Sequence, residues 1–272
     1  MNEEQNNQPK TRIYNLIILD KSGSMGSIRK AAYEGCNEVL NGIRAAAEKY
    51  ADQQEQFVSL LLFDTASMPY IHQCTPASQV TNLKKEQYCP CACTPLLDAM
   101  GKSLLELEQE TSKYEDAVGM VTVITDGYEN ASREFSYAQI QELVGRLKSK
   151  GWNFAFMGAN QDVHQVCADL NINEGNARAF SFNEAGMTGA WNEDRLAKER
   201  YYARMRQARI DTQDMTELER EAYYCQVNYD APYFEDSDQT SSTNDTMSDN
   251  SKQKDSLLQK LFGKKPDKDL PF

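Results

Sequence analysis

The chain has 272 residues, 40% of them hydrophobic, and a formal net charge of −12. That length suits one sizeable domain with additions, and the acidic balance argues against non-specific binding to nucleic-acid phosphates or to anionic membrane surfaces. Seven cysteines, an odd number, fit reduced thiols better than a disulfide framework; with no signal-peptide pattern in residues 1–10 and no bilayer-length apolar run, a soluble, cytoplasmic protein is expected.

Residues 1–10 read as a flexible arm. Residues 13–20, Ile13 to Asp20, are a near-continuous apolar run that predicts a strand buried on both faces. From Ile28 to Tyr50, apolar residues recur at three- and four-residue spacing (Ala32, Cys36, Val39, Ile43, Ala47), which predicts one amphipathic helix. Phe57 to Phe63 is a second strand, and Met68 to Gln73 a short edge strand whose Pro69 suits a position where no ladder donor is needed. Leu96 to Glu110 reads as a helix with Leu97, Met100, Leu104, Leu105 and Leu107 as its apolar set. A central strand follows at 118–125, a helix at 137–150, a strand at 152–158, a helix at 163–170 and a short strand at 177–181.

Alternating strands and helices predict a Rossmann-like, doubly wound α/β fold. Its six-stranded sheet is mainly parallel, has one antiparallel edge strand and carries helices on both faces. Residues 11–182 would form this domain. A helical extension over 183–229 follows, with helices at 186–207 and 215–227, able either to pack back or to project. From 230 to 272 the chain reads as a disordered linker and tip: Phe234 to Asn250 is rich in Ser, Thr, Asp and Asn and has no basic residue, too little apolar surface to offset the entropy of ordering.

The chemistry concentrates at strand ends. Asp20, Ser22 and Ser24 offer oxygens at i, i+2 and i+4 on a glycine-containing turn, a set that suits a hard divalent cation. A loop at a strand's carboxyl end is also where open α/β sheets bind ligands. Thr94-Pro95-Leu96-Leu97-Asp98-Ala99 comes mid-chain, and the strand Val121 to Thr125 closes on Asp126-Gly127. Taken singly, these are an Asx turn, a helix start with proline, and an ordinary turn. In order, D-x-S-x-S, T-P-L-x-D-A and a strand ending T-D-G resemble the metal-ion-dependent adhesion site of von Willebrand factor A domains.

The resemblance covers roughly residues 11–182 and implies five metal-site residues: Asp20, Ser22, Ser24, Thr94 and Asp126. The cation would be Mg2+, with Mn2+ or Ca2+ able to substitute. The implied function is non-catalytic: the site grips an Asp or Glu carboxylate of a partner protein. Stand-alone bacterial domains of this kind often serve as scaffolds or adaptors. Asp98 reads as a helix-start or supporting residue, Asp64 as a loop residue. Glu129 to Glu134, and Asn160 or Asp162, are candidates for the surrounding rim, with solvated loops and helix caps as the alternative.

Cys89-Pro90-Cys91-Ala92-Cys93 directly precedes Thr94. It is either a zinc or redox site or a set of small side chains in a tight loop. No matching second cysteine pair exists, and His72 and His164 are the only histidines. Cys36 and Cys167 fall on apolar helix positions and read as core. The chain's end, Asp267 to Phe272, is similar to the acidic Pro-Phe tip of bacterial single-stranded DNA-binding proteins. That likeness implies a second docking element, Asp269, Leu270, Pro271 and Phe272, and an alternative role as a replication- or repair-associated adaptor. A metal-dependent, phosphatase-like hydrolase is the other alternative. Phosphatases of the haloacid dehalogenase type need a second carboxylate two residues after the first, where this chain has Ser22. The chain also has no phosphate-binding G-x-x-x-x-G-K-[ST] loop and no nucleophile elbow around Ser132 or Ser136.

Overall fold

A computed structural model describes residues 10–159 and 162–234. Its first half runs β1 (Thr11–Asp20), α1 (Arg29–Lys49), β2 (Gln54–Phe63), β3 (Tyr70–Pro76), α2 (Leu96–Thr111) and β4 (Ala117–Thr125). The second half runs α3 (Tyr137–Lys148), β5 (Asn153–Gly158), α4 (Val163–Asp169), β6 (Ala177–Ala179), α5 (Glu184–Asp211) and α6 (Glu217–Asp230). The strands form one six-stranded sheet in the order β3-β2-β1-β4-β5-β6. All neighbours are parallel except β3, which runs antiparallel to β2 at the edge. The expected Rossmann-like α/β architecture is therefore the one observed.

This order reverses direction between β1 and β4, because the chain moves outward to β2 and β3 on one side and to β5 and β6 on the other. Their carboxyl ends flank the crevice in which doubly wound sheets bind ligands. Ile13, Ile17 and Leu19 of β1 face α1, α5 and α6, while Tyr14, Leu16 and Ile18 face α2, α3 and α4, so alternate residues feed two separate cores.

The extension packs back. Trp191, Tyr201, Tyr202 and Met205 of α5 are buried in the same core as α1. A side chain at Gly35 of α1 would begin 2.0 Å from the Trp191 ring, so α1 and α5 approach this closely only because that position is glycine. The chain stays packed to Phe234: Tyr233 is fully buried, and the Phe234 N–H donates to the Gly175 carbonyl at 3.0 Å. The expected linker start at 230 therefore falls five residues early, because two aromatic rings beyond α6 find apolar cover. The rest of the linker lies outside the described residues.

Other boundaries shift for local reasons. β2 begins at Gln54 rather than Phe57, because Gln54 and Gln56 are buried with their amides paired. β3 begins at Tyr70, just after Pro69, whose carbonyl accepts the Leu62 N–H at 3.0 Å. Leu105 is exposed because Leu97, Met100, Leu104 and Leu107 lie on one helical face and Leu105 is turned about 100° from it. Cys36 and Cys167 are buried, as expected. Among the described residues no helix is long and apolar enough to cross a membrane.

Candidate metal centre

β1 delivers Asp20 to the edge of the crevice, completely buried. Asp20 Oδ1 accepts the Ser22 N–H at 2.6 Å, which closes the turn, and Oδ2 accepts the Thr125 hydroxyl of neighbouring β4 at 2.6 Å. The chain then enters a 3-10 turn, Gly23–Ile28, that lifts Ser24 to the surface while Ser22 stays buried. The two hydroxyls lie 3.2 Å apart. Ser24 Oγ donates at 2.7 Å to Oδ1 of Asp126, the first residue after β4. Thr94 arrives from the third segment: a side chain beginning at Gly127 would meet Thr94 Oγ1 at 3.7 Å and Ser24 Oγ at 3.9 Å. The five oxygen-bearing side chains thus come together from three loops separated by scores of residues.

One atom of this group is left over. Asp126 Oδ2 is buried and has no hydrogen-bond partner among the described residues, although buried carboxylate oxygens are ordinarily satisfied. Burial pushes the Asp20 carboxyl up to about 6, against the pull of its bonds from Thr125 and Ser22, with Asp126 adding repulsion. Burial also raises Asp126 despite the bond from Ser24. Two desolvated carboxylates, three hydroxyls and one orphaned oxygen form a donor set of the kind a hard cation takes. Among the described residues no group of three or more His, Cys, Asp or Glu side chains is placed to hold a metal. The hydroxyl-rich cluster is the candidate.

The cysteine loop instead backs the site. Cys91 N–H donates to the Lys21 carbonyl at 2.8 Å and the Ala92 carbonyl accepts Gly23 N–H at 3.0 Å, so the loop runs alongside the Asp20 turn. Lys21, buried between the two site residues, forms an ion pair with Asp64 at the end of β2. Asp64 also accepts the Cys91 thiol at 3.1 Å and the N–H groups of Ala66 and Ser67 at 2.8 Å each. Burial works to raise the Asp64 pKa, but Lys21 and these donors outweigh it and hold the carboxyl below its usual range. Tyr88 closes the arrangement by donating its buried hydroxyl to the Asp20 carbonyl at 2.6 Å.

Thr94 is placed by a reciprocal clasp between α2 and residues 129–135. Its N–H donates to Asn130 Oδ1 at 3.0 Å, and its carbonyl accepts Asn130 N–H at 3.2 Å. Glu129 accepts the Leu97 N–H of the first turn of α2 at 2.9 Å, a carboxylate at a helix N-terminus. Asp98 reaches back and accepts N–H bonds from Arg133, Glu134 and Phe135, each at 2.9 Å. Burial alone would raise Asp98, yet those three donors keep its pKa below the ordinary value. Thr94 is no helix cap, since Pro95 holds the cap position of α2 with no side-chain bond.

All five predicted site residues are therefore assembled at one place. Asp98 supports them without joining them. The 129–134 segment divides: Glu129 turns inward, and Asn130, Arg133 and Glu134 face solvent. Asp162 caps α4, accepting Gln165 N–H at 3.1 Å. Asn160 and the tip residues Asp269, Leu270, Pro271 and Phe272 lie outside the described residues. Thr125, Tyr88 and Lys21 were not among the expected site residues, and Glu129, expected either at the rim or as a helix cap, braces the start of α2. Thr125 had a signal in its position just before Asp126; the others required knowledge of which loops touch.

No protein-family model matches the sequence, and neither does any curated protein. Solved structures do resemble it. The pilus adhesin SpaC from Lactobacillus rhamnosus GG, in an open conformation, is 14% identical, with 69% of this chain and 30% of the adhesin covered at a TM-score of 0.50. The PilB minor pilin from Streptococcus sanguinis is 14% identical over 70% of this chain and 61% of the pilin, with a TM-score of 0.48. The SpRpn10 VWA domain is 10% identical over 69% of this chain and 95% of that domain, at 0.44. The chain thus spans less than two thirds of the pilin's length and under a third of the adhesin's. The likeness is one of fold: a mainly parallel α/β sheet with one antiparallel edge strand.

Proposed function

We propose that this chain is a non-catalytic, divalent-metal-dependent protein-binding module, an adaptor or scaffold working in the cytoplasm. Asp20, Ser22, Ser24, Thr94 and Asp126 would hold the cation, Mg2+ by preference and Mn2+ or Ca2+ in its place. The observation that carries the reading is the buried Asp126 Oδ2, without a partner among the described residues, within a convergent set of carboxylate and hydroxyl oxygens. The cation would supply positive charge to an Asp or Glu carboxylate from a partner protein. The chain's own part is orientation: Thr125 and Ser22 N–H fix the Asp20 carboxylate, the Asn130 pairing fixes Thr94, and the Lys21–Asp64 pair fixes the turn.

In this reading residues 11–182 are the binding module and α5 and α6 its buttress. Residues beyond 234 are a tether whose Asp269-Leu270-Pro271-Phe272 end docks a second protein, of the kind that serves replication or repair in bacteria. A hydrolase reading has less support, because Ser22 occupies the place where a phosphatase of the expected type carries its acid-base carboxylate.

Calorimetric titration with MgCl2 and MnCl2 tests the metal site. We expect saturable binding with a rise in thermal midpoint; stabilisation of about 2.7 kcal/mol follows when free metal is a hundredfold above Kd. Both signals should vanish in Asp126→Ala and Thr94→Ala. No heat and no shift with either metal would sink the proposal.

A further inference from the structure

Beside the candidate centre runs an open groove of about 940 Å³. One wall is the turn after β2, Thr65 to Met68; the other is the segment Asn130 to Glu134. Its near end is formed by Cys93 and Pro95, the residues on either side of Thr94. The groove therefore begins next to Thr94.

The charges in the groove differ in their freedom. Asp64 is paired with Lys21, and Asp98 is saturated by three backbone N–H groups. Lys102 and Glu134 neutralise one another at 2.7 Å. Arg133 alone is exposed with no side-chain hydrogen bond or ion pair among the described residues, while its backbone N–H is tied to Asp98 at 2.9 Å. A rigidly anchored backbone thus carries an uncommitted guanidinium, which suits bidentate capture of a carboxylate. On a chain of net charge −12, a free cation at this place is local complementarity against the overall field.

We infer that the groove receives an extended segment of a partner protein carrying two acidic residues, the first for the metal centre and the second for Arg133. The inference rests on the metal-site reading above and adds the partner's chemistry. Thr94 precedes α2, and Asp98, which anchors the Arg133 backbone, lies in its first turn, four residues on and so at most about 14 Å away. At about 3.3 Å per residue of extended chain, a second carboxylate within about four residues of the first spans that reach.

The test uses the whole protein, 15N-labelled, in MgCl2, with three synthetic peptides, each N-acetylated and C-amidated so that only side chains supply carboxylates: Gly-Asp-Gly-Gly-Asp-Gly, Gly-Asp-Gly-Gly-Gly-Gly and an all-glycine control. Affinities and perturbed amides are read by NMR titration. The two-carboxylate peptide should bind about three- to tenfold tighter than the one-carboxylate peptide, the scale of one charge-assisted pair at a partly exposed site. The gain should shrink as salt rises and should move amides of residues 131–134 and 65–68. Arg133→Ala, which keeps the backbone bond to Asp98, should erase the gain and leave one-carboxylate binding unchanged. Equal binding of the two acidic peptides, or a gain that survives Arg133→Ala, overturns the inference while leaving the metal reading intact. Failure of every peptide to bind in MgCl2, or binding that persists unchanged in EDTA, overturns both.

Discussion

Beneath α2, α3 and α4 the sheet presents Leu16, Ile18, Leu61, Phe63, Val121 and Val123, and the middle of that packing is largely apolar, with Ser59, Ser103 and Thr111 among its buried polar residues. Beneath α5 and α6 the same strands present Asn15, Gln54, Gln56 and Thr122 in the midst of an otherwise apolar core. Every one of these finds a partner. Asn15 donates to Gln56 at 2.9 Å and accepts the Tyr202 hydroxyl at 2.7 Å, and Gln54 donates to the Tyr202 carbonyl at 2.7 Å. Lys198, buried in α5, donates to Thr122 at 2.5 Å and to both Asp194 oxygens at 2.9 Å; Asp194 also accepts the Tyr233 hydroxyl at 2.7 Å. At the sheet's lower edge Asp116 pairs with Arg209 at 3.0 Å.

The two faces impose different demands. Apolar packing tolerates rearrangement as long as volume is kept. A buried polar seam tolerates almost none, because each donor needs its own acceptor. The extension from α5 to Phe234 is therefore locked to the sheet in one register, and the binding module is built on a scaffold whose back is specified by hydrogen bonds.

The contrast is broken most severely at Lys198. Lys198→Ala leaves Asp194 buried without its cation, and urea unfolding should record a loss of about 3–5 kcal/mol. The double variant Lys198→Met, Asp194→Leu should recover most of that loss, since an apolar pair replaces a desolvated ionic one. If single and double variants were equally unstable, the seam would not be the origin of the effect. On the other face Leu104→Ala should cost about 2–5 kcal/mol by cavity formation, and no second substitution of a neighbour by alanine should restore it.

The smallest expected effect lies at the rim. Asp98→Asn should cost about 1–2 kcal/mol at neutral pH by weakening acceptance from three backbone donors. Because the folded-state pKa of Asp98 lies below its ordinary value of about 3.9, its contribution is present above that value and is lost as pH falls through the folded pKa. Unfolding midpoints of the two proteins should therefore converge in acid. Curves that stayed parallel down to pH 2 would show that the Asp98 charge does not hold the rim.

Much of this molecule could be read from local pattern. The run from Ile13 to Leu19 is apolar on both faces because a central parallel strand is covered on both sides. The spacing of Ala32, Cys36, Val39 and Ile43 fits the buried stripe of α1. The five candidate residues were found through the resemblance of three short motifs, which the fold places after β1, before α2 and after β4. The supporting residues were not. Lys21 and Asp64 look like loop charges until β1 and β2 are laid side by side, and Glu129 looks solvated until α2 begins opposite it. Lys198 and Asp194, four apart on a charged helix, look like a surface pair, and only the position of Thr122 and Tyr233 makes them interior.

The sequence by itself determined the elements, their alternation, the Rossmann-like sheet and the three oxygen-bearing loops, since each follows from periodicity and composition within some twenty residues. Tertiary structure alone decided that α5 and α6 fold back, that the cysteine loop backs the Asp20 turn, and that Asp126 Oδ2 has no partner among the described residues. Those outcomes depend on pairings between residues tens to hundreds of positions apart, and a hydrogen bond depends on where both of its atoms lie in space.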